Sequence, residues 1–358
     1  MQTQINKIDF TGQNIYIGFD VHLKSWKVTV MTEQMVYKSF SQSPSPKALH
    51  TYLTDHFPGG TYYSAYEAGF CGYWIHNQLL SLGIKSIVVN PSDIPTTHKE
   101  KVQKEDKRDS RKIARSLRGN ELTGIHVPSE RSLEDRGLLR TRKMLIKDLT
   151  RFKNRTKSFL YFHGIEIPET FKKPQSHWSK RFMVWLTEIE LSESSGKDSL
   201  TTLIGETNHL RDSLLKIIQR IRALSHTDHY QEDVKLLQSV PGIGLITAMT
   251  VLTELETMMR FKNIDHLCGY IGLVPSTNSS GEDDKVGDIT PRGHHVLRSA
   301  VIESAWIAVR NDPALIKCYN DYCKRMEPNQ AIIRIAKKLL SRIRFVLKNK
   351  QPYICSIN

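Results

Sequence analysis

Four carboxylates in the first third of the chain have the type and placement for metal-assisted phosphoryl chemistry: Asp20, Glu67, Asp106 and Asp109. Asp20 closes the apolar run Ile15-Tyr-Ile-Gly-Phe-Asp20, and Glu67 closes Thr61-Tyr-Tyr-Ser-Ala-Tyr-Glu67. Asp106 and Asp109 are three residues apart, so on a helix they share one face, and near a helix N-terminus the dipole favours their charge. Crowded carboxylates push some of their pKa values up unless cations neutralise them. Hard divalent ions take oxygen ligands, which makes Mg²⁺ the natural filling. Two such ions about 3.5–4 Å apart activate a nucleophile and stabilise a leaving oxygen in phosphoryl transfer. Any one of these acids taken singly reads as a surface charge; two strand ends plus an Asp-x-x-Asp helix start raise the set above that reading.

The elements that must position these acids can be read from patterning. Alternation of apolar and other residues over 15–20 predicts a strand, and Trp26-Lys-Val-Thr-Val-Met31 predicts a second strand returning after a short polar turn. Ser45 to Thr54 reads as a helix with Ser45 as N-cap and Pro46 at the first helical position. Residues 61–67 read as a strand, 73–82 as an amphipathic helix closed by Gly83, and 85–90 as a short buried strand ended by Pro91. Strands with intervening helices predict an α/β domain with a mixed sheet over 13–128. Residues 98–117 change to a charge-dense segment in which Ile113, Ala114 and Leu117 recur at helical spacing.

Residues 129–231 read as a long helical region of coiled-coil type, with Leu138, Leu145, Phe152 and Phe159 every seven residues and an apolar series from Leu203 to Leu224. The middle stretch, 164–199, holds Pro168, Pro174 and Ser192-Glu-Ser-Ser-Gly196 and reads as a connection. From 232 to 350 a mainly α domain follows. Its Val240-Pro-Gly242-Ile-Gly244 suits either a helix-hairpin-helix turn, whose backbone N–H groups hold a phosphate, or a plain glycine turn. Gly272-Leu-Val-Pro275 runs into a flexible loop through Ser279-Ser280-Gly281, and Gly287 to His295 leads into a helix with Leu297, Ala300, Val301, Ala305 and Ala308 on one face. A basic helix over 332–350 ends the chain's regular structure.

Composition narrows the class. With 358 residues and 39% hydrophobic content the chain is globular and holds two or three domains. No apolar run approaches the roughly 20 residues that span a bilayer, and the N-terminus lacks a signal-peptide core. Five scattered cysteines point to reduced thiols in a cytoplasmic protein and argue against a zinc site. A formal net charge of +14 predicts a polyanionic partner, with nucleic acid the default candidate.

Together these residues resemble a known family. Ile17-Gly-Phe-Asp20, Tyr66-Glu67-Ala-Gly69, Val89-Asn-Pro91 and Lys104-Glu-Asp106-Lys-Arg-Asp109 look like the RuvC-like, RNase H-fold acidic domain of the one-ten family of insertion-sequence transposases, to which Piv-type DNA invertases are related. Val240-Pro-Gly-Ile-Gly244, Gly272-Leu-Val-Pro275, Ser280-Gly281, Arg292-Gly293 and Leu297-Arg298 continue the match in order. Glu105 departs from the family's usual Thr, and Ser110 from its common Ala. The resemblance implies an RNase H/RuvC-like α/β domain followed by a C-terminal transposase domain. It implies that Asp20, Glu67, Asp106 and Asp109 hold Mg²⁺, and that Ser280 (with Ser279 the alternative) attacks DNA to form a covalent 5′-phosphoserine link.

It further implies a structured non-coding bridge RNA as guide and a homo-oligomeric assembly. A serine hydroxyl is a poor nucleophile without a base or metal, so Ser280 would have to draw on the acidic domain through space, across subunits bridged by the helical seam. Lys104, Arg108, Arg111, Lys112, Gly242, Gly244, Arg292 and Arg298 are the candidates for nucleic-acid contact; Arg115, on the same basic helix, is another. Two rival readings remain: a junction-resolving nuclease that hydrolyses DNA without a protein link, and a catalytically silent nucleic-acid-binding protein.

Overall fold

The computed structural model describes residues 9–95, 106–280 and 283–355, with the backbone alone at 106–107, 277–280 and 283–286. The chain divides into two compact units, Met1–Val127 and Pro128–Asn358.

Unit 1 is a mixed five-stranded sheet in the order β3-β2-β1-β4-β5. Its strands are β1 (Asn14–Val21), β2 (Trp26–Met31), β3 (Val36–Gln42), β4 (Thr61–Glu67) and β5 (Lys85–Val89). β1, β2 and β3 pair antiparallel, whereas β1, β4 and β5 are parallel. Parallel neighbours need a crossover, and the helices α1 (Pro46–His56) and α2 (Trp74–Ser81) supply it. Ser45 caps α1 by accepting a hydrogen bond from the Ala48 amide, with Pro46 in the first turn. The expected strands and helices over 15–90 are all present; β3, whose residues are largely polar and half exposed, is an addition that alternation did not reveal.

Side chains alternate across a strand, and here the two faces bury different partners. Ile15, Ile17 and Phe19 of β1 join Leu49, Leu53, Ile75 and Leu79 of α1 and α2 in one core. Phe19 stacks between Trp26 and Tyr66, with ring centroids 5.4 and 5.2 Å away. The opposite face is covered by α3 (Asp106–Arg118), whose Ile113 packs on Ala65 and Val89. At Gly18 a Cβ would overlap the backbone of Ser110 and Ala114, so glycine is what lets α3 lie directly on β1. The Ser110 hydroxyl is buried 2.9 Å from Thr29 Oγ1, itself 2.8 Å from Ser39 Oγ, which gives the serine at this position a partner an alanine would lack.

Unit 2 is helical apart from one hairpin. Its elements are α4 (Glu130–Phe162), α5 (Lys180–Glu188), α6 (Ser194–Ser225), α7 (Gln231–Gln238), α8 (Leu245–Leu255), α9 (Ile264–Ile271), β6 (Pro275–Ser280), β7 (Asp283–Ile289), α10 (His295–Asn311), α11 (Pro313–Cys323) and α12 (Pro328–Asn349). α4 and α6 pack antiparallel: Leu139 meets Ile217 and Ile221 near one end, Leu160 meets Leu200 and Ile204 near the other. The fully buried positions of α4 include Leu139, Leu149, Thr156 and Leu160, while the seven-residue series Leu138, Leu145, Phe152 and Phe159 is only half buried.

The segment expected as a bare connection instead folds two short 3₁₀ turns and α5, because Phe182 and Leu186 find an apolar pocket with Leu160 and Leu200. The expected flexible loop after Pro275 is likewise an antiparallel hairpin, Ser279 registering with Asp284 and Ser280 with Asp283. Two turns of polar residues carried no apolar alternation from which to read those strands. The main core of unit 2 gathers α7 to α12, with α12 burying eight side chains from Ala331 to Val346. Among the described residues no helix is long and apolar enough to cross a membrane, and Cys71, Cys268, Cys318, Cys323 and Cys355 are free thiols.

Candidate active site: an acidic sheet edge and a serine hairpin

Phe19 of β1 registers with Tyr66 of β4 in parallel pairing, so the next residue of each strand, Asp20 and Glu67, comes out at the same carboxyl edge. Alternation puts both on the face that carries Gly18 and Ala65, the face covered by α3. This placement uses the strand ends: the apolar residues before each acid are consumed in the sheet, leaving the carboxylates at its rim. His22 lies two residues beyond Asp20, with Nε2 3.1 Å from Asp20 Oδ2. The Asp-x-His spacing was visible in the chain, yet nothing in the sequence singled it out until strand geometry put both side chains on one face.

α3 begins at Asp106, whose side chain lies outside the described residues, as do Lys104 and Glu105. Asp109, one turn later, is held by Lys112 Nζ at 3.2 Å, and Lys112 is itself buried. The basic candidates of this helix therefore separate: Lys112 turns inward onto an acid of the set, while Arg108, Arg111 and Arg115 stand exposed at positions that share a helix face. Among the described residues no group of three His, Cys, Asp or Glu side chains lies close enough to hold a metal ion. The carboxylates of Asp20 and Glu67 at the adjacent strand ends, with Asp109 on the overlying helix, are oxygen donors of the kind a hard divalent cation takes. Three exposed apolar side chains, Leu23, Phe70 and Trp74, stand on the segments that follow these two strands.

In unit 2 the hairpin of β6 and β7 carries Ser280 at its tip, with Gly281 outside the described residues. Its base is clamped by the residues that formed the sequence motif. The Arg298 guanidinium donates from Nε to the Ile271 carbonyl at 3.3 Å, from Nη1 to Thr290 at 2.8 Å and from Nη2 to Arg292, tying the chain before β6 to the chain after β7. Gly272 and Gly293, both at positive φ, lie against each other beneath that guanidinium where any Cβ would collide. Arg298 thus spends three of its donors on backbone carbonyls. Arg292 is exposed.

Gly242 and Gly244 also part company. Residues 239–244 join α7 to α8. Gly242, at φ +86°, packs its Cα against the backbone of Ser304 and Ala308 on α10. Gly244 caps α8 and faces open space.

A buried ionic knot lies beside the hairpin base. Glu254 of α8, 1% exposed, takes a bidentate pair from Arg140 (2.9 Å at both oxygens), with Arg136 Nε and His294 Nε2 each at 3.1 Å from Oε2. Burial alone would raise its pKa, but hydrogen bonds from His294 and Arg140 and their charge outweigh this and hold it at about 2. The Leu297 amide lies 3.3 Å from His294 Nδ1, while Nε2 faces Glu254. No sequence signal pairs residues 114 and 40 positions apart; helix packing alone brings them together.

Relatives place this architecture. Residues 17–164 match the DEDD transposase model of the IS110 group, and residues 234–320 match the model described as Transposase IS116/IS110/IS902 family. A Sinorhizobium fredii protein, y4qE, provisionally named a transposase, is 33% identical over 249 residues, covering 68% of this chain. This chain spans 58% of that relative's length. The transposase for insertion sequence element IS1111A of Coxiella burnetii is 24% identical over 300 residues, 80% of this chain and 78% of its own. The pilin gene-inverting protein of Moraxella bovis is 31% identical over 153 residues, 40% of this chain and 46% of its own. With an acidic mixed sheet under the first model and a helical unit under the second, this chain belongs to the IS116/IS110/IS902 family of transposases.

Proposed function

We propose that this chain cuts and rejoins DNA strands as the recombinase of an insertion sequence, using the carboxylates of unit 1 and Ser280 of unit 2. The observation that carries the reading is the shared register of Asp20 and Glu67 at one edge of parallel strands, on the face spanned by the helix of Asp106 and Asp109. A purely structural sheet has no need to end two neighbouring strands on acids at the same edge.

In this reading Asp20, Glu67, Asp106 and Asp109 hold Mg²⁺. Bound there, the divalent charge would lower the pKa of an attacking hydroxyl and neutralise a leaving oxygen. The Ser280 hydroxyl loses its proton to a carboxylate, and Oγ bonds to the phosphorus of one phosphodiester. The P–O3′ bond breaks, O3′ takes a proton, and a serine–5′-phosphate ester remains. A second strand's 3′-hydroxyl then attacks that phosphorus, so the O–P bond to serine breaks and Ser280 regains its proton. The bond count is preserved, which is what strand exchange requires and hydrolysis does not. Exposed Phe70 and Trp74, on the segment that follows Glu67, would offer stacking faces to bases displaced near the cut, a contact of about 1–3 kcal/mol per base.

The family resemblance adds a structured non-coding RNA whose loops pair with DNA, the protein gripping backbone and shape. The net charge of +14 supports a polyanionic partner of either kind. The hydrolytic-nuclease alternative is favoured by one feature, a complete acidic set within unit 1.

Denaturing gels of the full chain incubated with element-end DNA and Mg²⁺ separate the readings. A covalent protein–DNA band is expected, absent in Ser280→Ala and in Asp20→Asn. Cleaved DNA with no such band would support hydrolysis, and an adduct persisting in Ser280→Ala would remove Ser280 from the mechanism.

A further inference from the structure

Unit 2 carries a second charged feature close to the base of the serine hairpin. Between α4 and the start of α10 lies a cleft of about 420 Å³ lined by Arg140, Lys143, Lys147, Gly293, His294 and His295. Lys143 and Lys147 are four apart on α4 and point to the same side. The cleft adjoins another of about 280 Å³ that shares Arg140 and Lys143 and adds Arg142. Arg142 Nε is buried there with no hydrogen-bond partner among the described residues. A buried guanidinium N–H without an acceptor is costly, and an anionic oxygen is the acceptor its chemistry fits.

The carboxylates nearby do not cancel this charge. Glu254 is taken up by Arg136, Arg140 and His294, and Asp148 pairs with Arg151 on α4. Glu303 lines the adjoining cleft and is the one other acid there, against Arg140, Arg142 and Lys143. The excess of positive charge is felt within the cleft: burial, then Lys143, His294, Lys147 and Arg140, push the His295 imidazole below its ordinary pKa. The first turn of α10, a helix of seventeen residues, opens at the same place and adds its positive dipole end.

We propose that this cleft is a phosphodiester-binding site that seats the backbone of the DNA strand flanking the phosphate attacked by Ser280. The proposal rests on the recombinase reading for its ligand, and on the cleft for its place. The occupant follows from connectivity. Gly293 and His294 are the direct continuation of β7, and the Arg298 clamp fixes them to the base of the serine hairpin. Gly293 lies ten positions after Asp283, the residue opposite Ser280. Fully extended, that span reaches at most about 35 Å, roughly ten phosphates along one strand of duplex DNA at about 3.4 Å each. The seated phosphates therefore lie within about ten nucleotides of the reacting bond. Lys143, Lys147 and the Arg142 Nε donate to their oxygens; Arg140 stays with Glu254 and keeps the wall of the cleft in place.

The experiment measures affinity of the full chain for a fluorescein-labelled 30-base-pair DNA duplex of arbitrary sequence, and for the matching RNA duplex, across a salt series. Lys143→Ala/Lys147→Ala is expected to flatten the log–log salt slope on DNA by about 2, close to one per lost phosphate contact. The pair Lys180→Ala/Arg181→Ala on α5, both exposed, is expected to leave it unchanged. Retention of the wild-type melting transition checks the fold, and Lys143→Gln/Lys147→Gln repeats the test while keeping the aliphatic stems. An unchanged slope, an equal flattening by the α5 pair, or flattening on RNA alone would each overturn the proposal. Failure of the unaltered chain to bind either duplex would instead overturn the recombinase reading.

Discussion

At the scale of single residues, the most deeply buried carboxylates among the described residues are each shared by several partners. Glu254 is the clearest case. Its folded pKa of about 2 is below the ordinary carboxylate value of 4.5, so its contribution to stability is present above pH 4.5 and is lost as pH falls toward 2. The shift corresponds to about 3 kcal/mol at neutral pH. Urea unfolding of unit 2 at pH 7 and at pH 3 should show that loss, and Glu254→Gln should be less stable by about 3 kcal/mol at pH 7 with a flatter pH profile. An equal pH dependence in the variant would assign it to other acids. Asp312 is likewise shared among partners: fully buried, it caps α11 through the Leu315 amide and accepts from Arg342 and Tyr353.

At the scale of elements, two close approaches decide whether the chemistry can be assembled. Gly18 lets α3 sit on β1, and α3 carries two of the four carboxylates. Gly18→Ala forces helix and sheet apart, with an expected cost of about 3 kcal/mol. Because the displaced helix bears Asp106 and Asp109, DNA cleavage should fall well beyond what the remaining folded fraction explains, measured as activity per folded molecule from the melting curve.

The second approach is the glycine pair under Arg298. Arg298→Ala removes three donors to backbone carbonyls at the hairpin base, and Arg298→Lys cannot replace them, since an ammonium does not span three acceptors set by a planar fork. Both variants are expected to reduce covalent adduct at least tenfold. Hydrogen exchange should rise in 273–290 while α12 stays protected. Rescue by Lys would mean that charge alone matters there.

At the scale of the whole molecule, the two units have separate cores, one built on β1 and its neighbours and the other on α7 to α12. Fragments 1–127 and 128–358 are therefore each expected to unfold cooperatively when expressed alone, followed by circular dichroism. The composite-site reading makes a sharper forecast. If the serine of one copy serves the acids of another, a mixture of Asp20→Asn and Ser280→Ala chains, each inactive, should regain up to about a quarter to a half of wild-type adduct. No recovery would confine the site to a single chain.

The chain's linear order already determined a good deal. Strand-end acids at 20 and 67, the Asp-x-x-Asp helix and the Ser45 cap are local signals, because alternation, spacing and capping act over a few residues. The polar hairpin at 275–289, α5 and β3 escaped for the same reason: their residues have no period of their own, and distant apolar partners or a clamped base hold them. Tertiary structure alone decided which charges face inward. Lys112 turned onto Asp109, Arg298 onto three carbonyls, and Arg136, Arg140 and His294 onto Glu254. Sequence records that a residue is charged, but the sign of its contribution depends on partners dozens of residues away, and only packing chooses them.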